Sequence, residues 1–403
     1  MFIQPGNPQQ KRLRGYATLL VYYLYIKRQL MIKSDFSTYG FNMIESFIVI
    51  SGIIAFISAL KEIKNIQIIF WIFILCLIVF DGLRWEMGVD WTNYFSYFSK
   101  AHVYDQPGFE YGFILYTSII RNLTDNYSVY LLITTAFIYI GIFYTVFKIT
   151  NHSFLSIFFL TSVIPWYSGS LRQMMACVFF TLAINATMDK KLLHFIVLFI
   201  MGLMFHTTMI VTFPIYWIYG LSVSTLIIIF FSMAVGSIFS KHLVLILDWV
   251  VNFYGFDRGY GARLGGMLET SNPILGFLRK FITLSGLLYF SYVAYIAHNL
   301  HKDQWNKIKF TLFLSCLSVI FYYIGTFHIS NVSSRLNIYT SIISTAILVG
   351  LLDKSLQKKS NRILLYFFVV ALQVVLYSKL NLMSLFHPYS SIFYNYELNR
   401  VLY

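Results

Sequence analysis

VIPWYSGSLRQMMACVFFTLAINA, residues 163–186, decides how this chain folds. A proline and a Ser-Gly-Ser turn interrupt one apolar run, and Arg172 opens the next. Apolar runs of this kind recur along nearly all 403 residues. Hydrophobic residues make up 58% of the chain and charged ones only 11%, too few to solvate a soluble domain of this size. The composition therefore predicts an all-α polytopic membrane protein, in which each helix satisfies its own backbone hydrogen bonds. Expected spans lie near 44–60, 66–80, 127–147, 153–167, 173–188, 192–205, 207–219, 222–239, 276–297, 309–327, 337–351 and 363–378, about 12 in all, within a range of 11–14. Several are shorter than the roughly 20 residues that cross hydrocarbon, and 192–219 reads either as one long helix or as a hairpin turning at FHTT.

A net charge of +14 does not point to nucleic acid, because the basic residues sit in short clusters between apolar runs (KEIKN, DKK, HKDQWNKIK, DKSLQKKSNR). Such clusters mark cytoplasmic loops. With 61–65, 148–152, 189–191, 298–309 and 352–362 inside, the outward segments are 81–126, 168–172, the turn near 206, 240–275 and 328–336. The two larger outer loops are 81–126 and 240–275. The first carries five of the sixteen acids within its first thirty residues: Asp81, Glu86, Asp90, Asp105 and Glu110. The second begins with an apolar stretch suited to the interface and continues rich in glycine, as a mobile loop over a substrate would. Residues 1–42 are expected to be a dispensable extension, an over-extended start ahead of Met43. Residues 43–403 then form a single transmembrane domain. No small-residue cleavage site follows the apolar part of 1–42, which argues against a cleaved signal peptide. Cys76, Cys177 and Cys316 all fall inside apolar runs, with no metal or disulfide spacing.

Candidate chemistry gathers at the predicted outer ends. Ser170 is placed to cap a helix beginning at Leu171, with Arg172 and Gln173 in its first turn. A helix N-terminus already favours anions, so an arginine there is unfavourable when empty and favourable once a phosphate arrives. The alternative is a boundary arginine that snorkels to water. HISNVSSRLNIYT (328–340) repeats the pattern, with Ser333 and Ser334 as caps and Arg335 in the first turn, so two arginines at one face would clamp a diphosphate. DGLRWEMGVDWTNYFSYF (81–98) supplies Arg84, Glu86, Asp90, Tyr94 and Tyr97, a mixture that suits sugar hydroxyls and ring faces as well as it suits a solvated loop. A carboxylate there is also a candidate general base. His206, lone between apolar segments, is either a packed residue or lies at the level of Arg172. The sequence contains no Walker motif, dinucleotide fingerprint, His-x-x-x-His, Cys-x-x-Cys or D-x-D, and no clear internal repeat.

These motifs resemble a family. RWEMGVDWTNY (84–94) is similar to the Arg-(Tyr/Trp)-x-x-Gly-x-Asp-(Tyr/Trp)-x-x-Tyr signature of EpsG-like, Wzy-type polysaccharide polymerases. SGSLRQMMA (168–176), FHTTMI (205–210), SSRLNIYT (333–340) and HPYSSIFYN (387–395) resemble its later elements, in order, from about Met43 to the end. The resemblance implies a glycosyltransferase-C-like membrane enzyme of the bacterial cytoplasmic membrane that polymerises undecaprenyl-diphosphate-linked repeat units at the outer face. The product would be O-antigen, capsule or exopolysaccharide, made with no cofactor or metal and with a chain-length regulator as partner. Arg172 and Arg335 would stabilise the leaving diphosphate, and Arg84 would add a third cation or an acceptor clamp. Glu86, Tyr94 and Gln173 would contact substrate, and His206 or Asp90 would orient or deprotonate the acceptor hydroxyl. A lipid-linked oligosaccharide flippase, an O-antigen ligase and an acyltransferase are the rival readings.

Overall fold

Helix α1 spans Met43–Leu60 and α2 spans Ile66–Gly82. They belong to a computed structural model that describes residues 43–85, 90–100, 109–167, 169–238, 273–298, 302–327, 335–336 and 338–379. Glu86, residues 240–272 of the second outer loop, His328, Ser333, Ser334, the 387–395 tail and residues 1–42 lie outside the described residues. Among the described residues the chain is helical, with no strand.

Along α2, Phe70, Phe73, Ile74, Leu77 and Ile78 are buried, while Ile68, Trp71, Ile72, Leu75 and Val79 form an exposed stripe at helical spacing. A helix that is apolar on both faces needs a hydrocarbon solvent on the outer one. This is a membrane protein.

The expected outer loop 81–126 holds two further helices, α3 (Trp91–Ser99) and α4 (Tyr111–Leu123). In α3, Trp91, Tyr94, Tyr97 and Phe98 are buried while Thr92, Asn93 and Ser96 are exposed, the spacing of one apolar face. A loop rich in acids concealed this pattern because the aromatic residues recur only over two turns. Helix α5 runs Tyr127–Ile149, its start capped by the Asn126 side chain, which accepts from the Ser128 and Val129 amides. The run expected as one span over 153–167 divides into α6 (Phe154–Thr161) and a single turn, Ile164–Tyr167, containing Pro165. Proline has no amide hydrogen with which to continue α6.

Helix α7 (Leu171–Met188) starts where the Ser-Gly-Ser turn predicts, although the Ser170 side chain makes no capping bond. Helix α8 (Leu192–Phe205) ends at His206, whose backbone is extended (φ −157°, ψ 125°). A 3-10 stretch, Thr207–Thr212, and a turn, Ile215–Ile218, then fold back along α8. Tyr216 packs on Phe195, 5.3 Å between ring centroids, and its hydroxyl donates to the Lys190 carbonyl. Of the two readings of 192–219, the hairpin is the observed one.

The remaining helices are α9 (Val223–Ile238), α10 (Pro273–His298), α11 (Lys302–Phe327), α12 (Ile338–Ser355, opening with a π-helical stretch, Ile338–Ile343) and α13 (Lys359–Lys379). The basic segment 302–309, expected as loop, is the first part of α11. Among the described residues, three helices are both long and apolar enough to cross a membrane: α5, α7 and α12. The other apolar helical stretches, Lys280–Ile296 of α10 among them, run 10–17 residues, so this criterion does not reach the count of about twelve. Protein covers 83% of the apolar window of α7 and 89% of that of α12, against 56% for α5. α7 and α12 are therefore the central helices; Arg172 is in the first turn of α7, and Arg335 precedes the start of α12 by three residues.

Opposite those ends, buried Asp353 accepts from Ser153 (2.6 Å) and Arg362 (3.0 Å), and Arg362 also donates to the Ser58 carbonyl (2.7 Å). This knot ties α1, α6, α12 and α13 together and leaves the Arg172 end free of it.

Candidate active site

Gly112 sets the position of the first site residue. A Cβ there would meet Met204 backbone oxygen at 2.8 Å, so only glycine lets α4 rest on the last turn of α8. That contact brings Glu110, at the N-cap of α4, beside the 3-10 stretch after His206, where its carboxylate accepts from the Thr207 amide (3.4 Å). The other carboxylate oxygen accepts from Arg172 at 2.5 Å. The Arg172 guanidinium also lies 4.6 Å from the centre of the Phe109 ring and donates to the Tyr94 hydroxyl. Three side chains from two elements thus hold one arginine, and α3 takes part through Tyr94.

Burial pushes the Tyr94 pKa up, against the opposing pull of Arg172 and with a small contribution from Asp90. The phenol stays protonated, so its own O–H remains a donor.

Gln173, next along α7, donates to the Arg335 carbonyl at 2.6 Å, a bond that joins the starts of the two central helices across 162 positions of sequence. Arg335 itself has an exposed side chain. His206 is buried, at 4% exposure, and the charges acting on it are those of Arg335 and Arg172. Burial first, then these two cations, pushes its pKa from 6.5 down to about 3, so the ring is neutral. The Thr208 amide donates to His206 Nδ1 (3.2 Å), which must therefore carry no proton. The hydrogen is on Nε2, and among the described residues no protein group bonds it. The Thr208 hydroxyl reaches Tyr339 (3.2 Å) in the π stretch of α12, which closes the ring of contacts.

Of the residues singled out in the sequence, Tyr94, Arg172, Gln173, His206 and Arg335 come together. Asp90 is near enough to act on Tyr94 electrostatically and occupies the N-cap position of α3 without a side-chain capping bond. Arg84 goes elsewhere. At 2% exposure it pairs with Asp81 (3.0 Å) and donates to the Asp81 carbonyl (2.8 Å), close to Tyr139 inside the bundle. Its neighbour Trp85 packs edge-on against Trp91, 5.0 Å between centroids. Trp85 thus packs against the start of α3, and Tyr94 is the part of the 84–94 motif that touches Arg172. Glu110, Phe109, Thr208 and Tyr339 were not singled out. The acid-rich run did contain Glu110, but nothing local marks it as the partner of an arginine 62 positions away.

The role of Arg84 can be tested by stability. Removing one member of a buried ion pair costs roughly 3–5 kcal/mol. Arg84→Ala is expected to lower membrane abundance and melting temperature, with polymer made per folded molecule retained. An apolar double replacement, Asp81→Leu with Arg84→Met, should recover most of the lost stability. Normal abundance with no polymer would instead put Arg84 at the chemistry.

The EpsG family model matches residues 67–397, more than four fifths of the chain. The chain belongs to the EpsG family. This is a family of Wzy-like polysaccharide polymerases, so this EpsG protein has a polysaccharide-polymerase-type role, coarsely that of a glycosyltransferase. No curated protein and no solved structure matches it. Among the described residues of this EpsG protein, no three His, Cys, Asp or Glu side chains cluster as metal ligands would.

Proposed function

We propose that this EpsG protein joins undecaprenyl-diphosphate-linked oligosaccharide repeat units by block glycosyl transfer. The reaction takes place at the outer face of the bacterial cytoplasmic membrane, which the chain crosses many times. The observation that carries this reading is the convergence of Arg172, Arg335 and a neutral, proton-donating His206 at one end of two central helices. A departing lipid diphosphate gathers negative charge as the anomeric C–O bond breaks, and preorganised cations in a partly buried site lower that barrier most.

In this mechanism Arg172 and Arg335 take the diphosphate, and His206 Nε2–H donates to it. Arg172 then exchanges Glu110 for phosphate, and the freed carboxylate takes the proton of the acceptor hydroxyl. The acceptor oxygen bonds to the anomeric carbon, the bond from that carbon to the diphosphate oxygen breaks, and the lipid diphosphate leaves with the electron pair. Tyr94 O–H and Asp90 face the sugar. Glu110 is preferred to His206 as base because Nδ1 of His206 is already an acceptor for Thr208.

The test is reconstitution. Purified protein in lipid vesicles, given only lipid-diphosphate-linked repeat units, is expected to produce a ladder of oligomers and to release lipid diphosphate stoichiometrically, without nucleotide sugar or chain-length regulator. Movement of the lipid-linked unit across the bilayer with no new glycosidic bond would mean a flippase. Transfer only to a different lipid acceptor would mean a ligase.

A further inference from the structure

Helix α10 shows an apolar face outward around its second turn, with Leu278, Phe281 and Ile282 between 53% and 69% exposed, as a lipid-facing helix does. Lys280 sits in the same turn but sends its Nζ the other way, donating at 2.7 Å to Ser341 Oγ in the π stretch of α12. Among the described residues no carboxylate lies within 4 Å of this ammonium. Lys280 is half-buried, and one hydroxyl is a weak substitute for an anion beside a partly desolvated ammonium. Cations on membrane-spanning helices mark, as a rule, the paths of charged ligands.

Position says which ligand. Ser341 is six residues beyond Arg335 in the sequence. Tyr339, two residues before Ser341, bonds Thr208, whose hydroxyl also touches His206. π stretches of this kind widen a helix and are common at functional sites. Through Ser341, Lys280 is thus tied to the same π stretch whose Tyr339 reaches Thr208 beside His206.

We propose that Lys280 binds the diphosphate of the lipid-linked donor at a lateral opening between α10 and the π stretch of α12. The polyprenyl tail stays in the bilayer along Phe281 and Ile282, and the headgroup passes from Lys280 to Arg335 and Arg172. This rests on the polymerase reading above and adds the side from which substrate enters.

The experiment measures initial polymerisation rate against donor concentration in vesicles for wild type, Lys280→Gln, Lys280→Arg and Ser341→Ala. Losing one charge-assisted contact to phosphate should raise KM about 10-fold in Lys280→Gln, with kcat changed far less. Lys280→Arg is expected to keep KM near wild type, and Ser341→Ala, which leaves the charge, to raise it less than Lys280→Gln. Inhibition by free polyprenyl diphosphate should weaken in parallel with the KM of Lys280→Gln, while inorganic pyrophosphate inhibits both proteins equally. An unchanged KM in Lys280→Gln overturns the proposal, as does a fall in kcat alone. Equal weakening of pyrophosphate inhibition would make this a site for free diphosphate and remove the lateral opening. If Arg172→Ala still polymerises, the underlying reading fails. If Arg172→Ala is inactive while Lys280→Gln behaves as wild type, only this inference falls.

Discussion

Arg172→Ala is expected to collapse the polysaccharide ladder in the native cell to a single repeat unit on the final acceptor, at matched membrane abundance. Arg172 is the point where α3, α4 and α7 meet, through Tyr94, Phe109 and Glu110. Removing a preorganised donor from the site of developing charge costs about 10²–10³ in rate, enough to leave units exported and ligated but not joined. Arg172→Lys should recover only part of the loss, because an ammonium is a point charge without the planar fork. Glu110 would be left unpaired in Arg172→Ala, so the double variant with Glu110→Gln serves as the control. Its abundance should return to normal while the ladder stays collapsed. An unchanged ladder in Arg172→Ala would make the residue a boundary arginine and remove the centre of the mechanism. Loss of even the single-unit band would favour the flippase or ligase reading.

His206 is expected to matter as a donor, with a signature in pH. Its folded pKa of about 3 lies below the ordinary 6.5, so the ring is neutral throughout the physiological range. His206→Ala should lower the rate about 10²-fold, in the range of a lost donor to developing charge. His206→Gln, which offers an N–H from similar reach, should recover part of it. Between about pH 6 and pH 8 the wild-type and His206→Gln profiles should have the same shape and differ in height, because His206 does not titrate there. A limb centred near 6.5 in wild type that vanishes in His206→Gln would make His206 the base and displace Glu110. The same depressed pKa bears on stability. Between 6.5 and about 3 the unfolded chain takes up a proton that the folded one refuses, so His206 contributes stability above 6.5 that is lost progressively as pH falls through that window. Melting temperature should therefore fall on acidification from about pH 7 to about pH 5, and less so in His206→Gln.

Much of the site was legible as residues and little of it as contacts. Arg172 and Arg335 stood out because a cation in the first turn of an apolar helix conflicts with the helix's own dipole. His206 stood out as the one polar ring in an apolar stretch, and the chain does break there. The charge-rich 84–94 motif invited a reading in which Arg84 faces substrate. In the fold Arg84 pairs inside the bundle with Asp81, three residues away, while Tyr94 reaches Arg172.

By itself the sequence determined the class of protein, the start of the central helix at Leu171 and the apolar stripe that meets lipid, because hydrophobic periodicity and turn chemistry act over a few residues. It did not determine that Glu110 is the carboxylate on Arg172, that Gln173 ties α7 to Arg335, or that Lys280 turns toward Ser341. Those pairings span between 61 and 162 positions. They depend on which helix ends the packing brings together, at Gly112 on Met204 and at α10 against the π stretch of α12. In a chain with sixteen acids and thirty cations, only that packing selects which charges meet.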